Sequence, residues 1–327
     1  MCDITFIIPT FNNKKLLFRC LKSIENQLGQ NDKIIVVDDG STDGTFEVLK
    51  KAYKLNSKLE IIKQVNSGSG VARNKGVLLN KNKYIWFIDS DDYIVADAVK
   101  KVRRKLSNNN IDILFFDFYS DIISEEKWNK SNFNSTDKIS LMFSSHFPWN
   151  KVIKAELFKD VQFPSGRIRY QDHGTIPVII SKGKNIEYIK EPLYVYDFTH
   201  PNNIGKNSNK QDDIYIAFNN LIFYNKKEIL TDLELEALFI YTFVFLRIYE
   251  PSDNSFASIY LNIKKVKKYL NENYPTWRKS VFLNMKSIDK YSKIIKHLPF
   301  KILMGNLLKW NSLIPALAIV LYKKLKN

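Results

Sequence analysis

The stretch Tyr84-Ile85-Trp86-Phe87-Ile88-Asp89-Ser90-Asp91-Asp92 runs from an unbroken apolar segment into three carboxylates packed within four positions. A short apolar run with a polar stop reads as a strand covered on both faces. The same grammar recurs upstream: Ile4–Pro9 leads into Asn12-Asn13, Ile34–Asp38 into Asp39, and Leu59–Gln64 into Asn66-Ser67. Helical spacing fills the gaps, with Leu17, Leu21, Ile24 and Leu28 first, then Thr45–Leu55, Val71–Leu79 and Val95–Leu106. One more strand follows at Ile111–Tyr119. Strands alternating with helices predict an α/β fold, a Rossmann-like and mostly parallel sheet flanked by helices. Such sheets bind ligands beyond the carboxyl ends of their strands, and that is where these polar residues collect.

The chain has 327 residues, enough for one large or two modest domains. A composition 45% hydrophobic and 13% aromatic supports a sizeable core, and 11 Gly with 10 Pro exclude collagen-like or linker-dominated architectures. Cys2 and Cys20 make neither a disulfide framework nor a cysteine-rich zinc site, so a reducing compartment is expected. The apolar run Phe6-Ile7-Ile8 stops at Pro9, too short for a signal peptide, which places the expected location on the cytoplasmic side. Residues 121–145 read as an excursion, and short elements resume from Trp149 to Tyr196. Beyond Lys206 the pattern is helical, so the expected division is 1–205 and a helical, basic 206–327.

The net charge is +16, and the stretch from Lys264 onward holds 15 basic residues against Glu272 and Asp289, or +13 of that total. A nucleic-acid binder with an evenly basic surface is not what this distribution describes. Trp310–Tyr322 is 13 uncharged residues containing Pro315, short of the ~20 that a spanning helix needs. Lys301, Lys309, Lys323, Lys324 and Lys326 flank it, with Trp310 and Tyr322 at its edges. That pattern suits a helix lying in the headgroup plane of an anionic membrane surface, the alternative being a helical subdomain with a solvated lysine face.

Carboxylates crowded at a sheet edge repel, and a hard divalent cation relieves the repulsion, so Asp89-Ser90-Asp91-Asp92 is a candidate Mn²⁺ or Mg²⁺ site. The alternative is an acidic turn in which Ser90 or Asp92 caps the next helix. Asp38 and Asp39 would share that edge, where a carboxylate can accept a hydrogen bond from a base or a ribose. Asn66-Ser67-Gly68-Ser69-Gly70 is a glycine-rich turn entering a helix, whose N–H groups can approach an anion; Arg73 and Lys75 follow.

Four ordered segments, Ile7-Ile8-Pro9-Thr10-Phe11-Asn12, Val36–Asp43, Asn66–Gly76 and Phe87–Asp92, together resemble the motifs of family 2 glycosyltransferases of the bacterial surface-polysaccharide type. The resemblance covers about residues 3–200 and implies a GT-A fold, a nucleotide-diphosphate sugar donor, a divalent metal and inversion. It implies that Pro9, Thr10 and Phe11 line the nucleoside pocket and that Asp38 or Asp39 holds the base. Gly68, Arg73 and Ser90 fall on the donor side, Asp89 on ribose or metal, and Asp91 becomes the main metal ligand, with His200 a further candidate. Asp172 takes the place of the general base, with Trp149, Gln171 and His173 on the acceptor side. The family's pair reads Glu-Asp where this chain has Gln171-Asp172, so the base keeps its place and loses an acidic neighbour. The implied partners are a UDP-sugar and a glycan or lipid-linked acceptor at the inner face of a membrane. The competing reading is a non-catalytic nucleotide-sugar-binding scaffold, against which Asp91 and Asp172 both stand.

Overall fold

The computed structural model describes residues 2–107, 110–120, 127–130, 136–144, 146–197, 210–249 and 255–326. Four parallel strands, β1 (Ile4–Thr10), β2 (Lys33–Asp38), β3 (Leu59–Lys63) and β4 (Tyr84–Phe87), lie in the order β3-β2-β1-β4. Helices α1 (Lys14–Glu25), α2 (Thr45–Ala52) and α3 (Ser69–Leu79) make the connections. Register pairs Thr10 with Asp38 and Asp38 with Lys63, so the carboxyl ends of β1, β2 and β3 finish on one line. Every residue of β1 is buried, as its uninterrupted apolar run requires of a strand packed on both faces.

The far half of the sheet is mixed. It contains β5 (Tyr93–Ile94), β6 (Ile113–Ser120), β7 (Lys127–Asn129), β8 (Lys151–Lys154) and β9 (Ile186–Tyr196), with α4 (Ala98–Ser107) between β5 and β6. The expected strand after α4 does form, as β6, but it does not sit beside β4. Strand β8 enters between them, antiparallel to both, with Val152 opposite Trp86 on one side and Leu114 on the other. Strand β6 then runs parallel to β9, and β9 antiparallel to β5. With Lys at both ends of four residues, β8 carries too little apolar signal to read as a central strand.

Two compact units divide the chain: residues 1–131, 146–207 and 213–229 form one, and 132–145, 208–212 and 230–327 the other. The expected boundary between 205 and 206 lies outside the described residues. The first unit holds the sheet with α6 (Ile176–Lys182) and α7 (Asp213–Asn225); the second holds α5 (Lys138–Met142), α8 (Asp232–Phe239), α9 (Phe256–Asn273), α10 (Ser287–Tyr291), α11 (Leu298–Trp310) and α12 (Leu313–Lys326). Thr231 and Glu234 close a capping box at the start of α8.

The core of the first unit runs through Phe6, Trp86 and Phe116, whose ring centroids are 5.6 and 5.0 Å apart in turn. The Trp86 indole N–H donates to the Trp149 carbonyl at 3.0 Å, which fixes the entry into β8. Lys151, the first residue of β8, is fully buried. Its ammonium donates to the Phe147 carbonyl and the Asn150 side chain at 2.5 Å each, over the Phe115 ring. Burial pushes its amine well below the usual 10.5, and the negative charge of Asp172 pushes back.

A depressed lysine pKa means that the unfolded chain binds more protons between the lowered value and 10.5. Stability from this group therefore rises with pH through that window and is diminished below it. Lys151→Met is expected to raise stability by about 1 kcal/mol or more at pH 6, with a smaller gain at pH 9. Urea unfolding at the two pH values checks this; a variant weaker than the parent at pH 6 would mean the ammonium's hydrogen bonds outweigh its burial.

Candidate active site at the carboxyl edge of the sheet

The end of β2 is tied to both neighbours. The Asp39 N–H donates to the Thr10 carbonyl at 2.8 Å, closing β1 onto β2. Asp38 is buried and accepts the Ser41 N–H through both oxygens, at 3.3 and 3.2 Å. Burial raises its carboxyl above the usual range, and the Ser41 bonds oppose the rise. Asp39 accepts from the Gln64 side chain and from the Ser67 and Gly68 N–H groups, each at 2.8 Å. One carboxylate thereby locks the glycine-rich turn to the tip of β2. Gly68 sits at φ 97°, and a Cβ there would lie 2.4 Å from the Gly166 carbonyl oxygen, so only glycine fits.

Helix α3 starts from that turn and reaches both Asp89 and the 163–171 segment. Arg73, 5% exposed, reaches back to Asp89 at 2.6 Å and lies over the Phe163 ring. The Asn74 amide bonds the Phe163 backbone in both directions, at 2.8 Å each way. The Gln171 amide donates to the Ser69 hydroxyl. Asp172 comes next: its carbonyl accepts from Thr175 and Ile176 at the head of α6, and its carboxylate accepts the His173 N–H at 3.1 Å. The His173 ring is met edge-on by His146 and Tyr170, with the two histidine Nδ1 atoms 3.4 Å apart.

The acidic motif after β4 divides by burial. Asp92 is fully buried and accepts the Tyr194 hydroxyl at 2.6 Å and the Asp197 N–H at 2.8 Å. Burial first, then the Asp91 and Asp89 charges, pushes its carboxyl well above the usual range. Asp92 therefore braces β9 and faces no ligand. Ser90 is buried and accepts from the Asn13 amide at 3.0 Å. Arg19 bonds the Asp91 carbonyl and the Asp197 carboxylate, which stiffens the loop from its far side. Asp89 and Asp91 stay partly exposed. Among the described residues no group of three or more His, Cys, Asp or Glu is placed to hold a metal. Two oxygen donors still fit Mg²⁺ or Mn²⁺, which are commonly held by one or two carboxylates with phosphate oxygens and water completing the shell.

Thus the edge brings together Asp38, Asp39, Gly68, Arg73, Asp89, Ser90, Asp91, Gln171 and Asp172, with Pro9 and Thr10 buried at the end of β1 and Phe11 45% exposed beyond it. His200 lies outside the described residues. Trp149, placed on the acceptor side by the resemblance, is 2% exposed, stacked on Phe147 and Tyr194 at 4.7 and 4.6 Å. Core packing claims that indole, and Phe147 is the member of the stack that reaches the surface. Ser69, Asn74, Arg19 and Tyr194 escaped the sequence reading, because each works through a partner far along the chain. Thr10 Oγ1, Asn66 Oδ1, Arg73 Nε and Gln171 Oε1 are buried at this edge without a hydrogen-bond partner. Such orphaned polar atoms are uncommon in a finished interior.

Known proteins share this fold. The crystal structure of S. aureus TarS 1–349 superposes with a TM-score of 0.69 at 18% identity, covering 93% of this chain and 90% of that one. A second crystal structure of the same TarS 1–349 was obtained in complex with UDP-GlcNAc. The likeness shows the fold, the GT-A arrangement of a mixed sheet flanked by helices with helices after it. In sequence, glycosyltransferase GlyA of Streptococcus pneumoniae serotype 4 is 30% identical over 211 residues, which are 59% of this chain and 30% of GlyA. Glycosyltransferase GlyG of the same organism is 29% identical over 211 residues, 59% of this chain and 70% of GlyG. The chain thus spans under a third of one such relative and over two thirds of another. The sequence model of glycosyl transferase family 2 matches residues 5–173, more than half the chain and all of the edge just described, and the protein belongs to that family.

Proposed function

We propose that this chain is an inverting, metal-dependent glycosyltransferase. It would move a sugar from a nucleotide-diphosphate donor, UDP-sugar in particular, to a hydroxyl of a glycan or lipid-linked acceptor in bacterial surface-polysaccharide synthesis. The observation that carries this is the convergence on the first turns of α3: Asp39 holds its leading turn, Arg73 meets Asp89, and Gln171, the chain neighbour of Asp172, bonds Ser69. Membership of family 2 and the UDP-GlcNAc complex of the similarly folded TarS support it. Residues 1–205 would carry the catalysis, and 206–327 a helical, basic part.

The nucleoside would lie over Pro9, Thr10 and Phe11, with Asp38 or Asp39 on the base and the Gly68 turn toward the diphosphate. Arg73 adds a fixed positive charge beside Asp89. Asp91, with Asp89, would hold Mn²⁺ or Mg²⁺, which supplies the charge that neutralises the departing diphosphate. Asp172 takes the proton of the acceptor hydroxyl as its oxygen bonds to C1. The C1–O bond to phosphate breaks in the same displacement, and its electron pair leaves on the diphosphate. One in-line step inverts the anomeric carbon and needs no covalent intermediate.

Peripheral attachment to the inner face of the cell membrane completes the reading. Among the described residues no helix is long and apolar enough to cross a membrane. Helix α12 instead has two apolar faces: Ala316 and Ile319 are buried, while Leu313, Ile314, Leu317 and Leu321 are 44–61% exposed. Trp310, at the end of α11, is 88% exposed between Lys309 and this face. Apolar residues rimmed by lysines and an aromatic suit the surface of an anionic leaflet.

Asp172→Asn is expected to leave UDP affinity unchanged and lower transfer at least a hundredfold, the usual scale for a lost base; unaltered transfer would move that role to His173. Asp91→Asn should abolish turnover and the Mn²⁺ dependence of UDP binding by calorimetry, and metal-independent activity in that variant would remove the assignment. Leu317→Glu with Leu321→Glu should strip the protein from phosphatidylglycerol vesicles in co-sedimentation while sparing UDP binding. Undiminished sedimentation would place the contact elsewhere.

A further inference from the structure

The segment that carries the proposed base is pressed onto α3 at three successive points. The Asn74 amide and the Phe163 backbone exchange two hydrogen bonds of 2.8 Å. Gly68 and Gly166 meet so closely that a side chain on Gly68 would run into the Gly166 carbonyl. Last, the Gln171 side chain lies across the helix entrance, donating to Ser69 and covering Gly70, where a Cβ would come within 2.1 Å of Gln171 Oε1. That oxygen is buried with no donor of its own. A buried acceptor left unmade costs about 1–3 kcal/mol, so this placement is not one that local hydrogen bonding favours. It survives because the turn and the 163–171 segment hold it there.

We infer that Gln171 is a positioning residue, which registers Asp172 against the glycine-rich turn through its amide bond to Ser69. The inference rests on the proposed reading of this edge as a nucleotide-sugar site. The chemistry explains why an amide serves here. A carboxylate in the same place, as in the family's Glu-Asp pair, could only accept from the Ser69 hydroxyl and would add a negative charge at the start of α3. A neutral amide keeps the mechanical tie and adds no charge. Gly70 then has a reason to be glycine that is distinct from any turn geometry, since a methyl there would unseat the amide.

The consequence is a division between binding and chemistry. Loss of the tie should loosen the base and leave the nucleotide's contacts in place, and a misplacement of about 1 Å can cost on the order of a hundredfold in rate. Gain of a charge should do the reverse. Gln171→Ala and Ser69→Ala are each expected to lower kcat by about ten- to a hundredfold, with UDP affinity within about twofold of the parent. Because the two side chains act as one unit, the double variant should be no slower than the worse single. Gln171→Glu should instead weaken UDP binding about two- to fivefold at low ionic strength, a deficit that shrinks as salt is added.

The experiment uses the full chain with Mn²⁺, UDP for calorimetry, and whichever of UDP-glucose, UDP-galactose and UDP-GlcNAc the parent hydrolyses fastest for kcat. The split between kcat and UDP affinity, with non-additive singles, supports the role. Additive losses, or a fall in UDP affinity equal to the fall in kcat in Gln171→Ala, would overturn it and reduce Gln171 to a packing residue. A parent that binds UDP and hydrolyses none of the donors defeats the reading of the edge as catalytic, and this inference falls with it. Normal melting of each variant separates these outcomes from misfolding.

Discussion

A carboxylate at the end of a buried strand must be neutralised by something, and each one here is neutralised in its own way. Asp92 is spent on Tyr194 and the backbone of Asp197, Asp38 on Ser41, and Asp39 on three N–H donors. Each of these holds two pieces of chain together. Asp89 is offset by one arginine from α3 and remains partly exposed, as does Asp91. The acidic edge is thus two populations that a one-letter reading cannot distinguish: braces, whose oxygens already tie two pieces of chain together, and donors, which stay partly exposed.

Helix α3 is where the two populations meet. Its leading turn is held by a brace, its arginine answers a donor, and its flank carries the segment that ends in Asp172. Positioning of this kind comes from rigid elements and close backbone contact, not from loop side chains free to adjust. The charge of Asp172 also bears on the fully buried Lys151, opposing the effect of that lysine's burial.

Much of this was legible in the residues. The runs ending at Thr10, Asp38, Lys63 and Phe87 became parallel strands because continuous apolar stretches between amphipathic helices have few other ways to be buried. Local polar clusters at their ends located the edge for the same reason. What the sequence could not disclose was long-range. Strand β8 gains its central place from partners at Trp86 and Leu114, not from its own composition. Residue type alone lets Trp149 either pack or meet a sugar, and the stack with Phe147 and Tyr194 makes it core. Nothing near Gln171 in the chain foretells Ser69, 102 positions away.

The central claim is that these side chains form one nucleotide-sugar site around the start of α3. Hydrogen exchange of the full chain with and without UDP and Mn²⁺ tests it most directly. The account predicts slowed exchange at residues 66–72, 89–91 and 171–173 together, with little change elsewhere in the sheet. Protection that appears only at a distant surface, such as the cleft of about 500 Å³ between Asn26–Gly29 and α4, would contradict it.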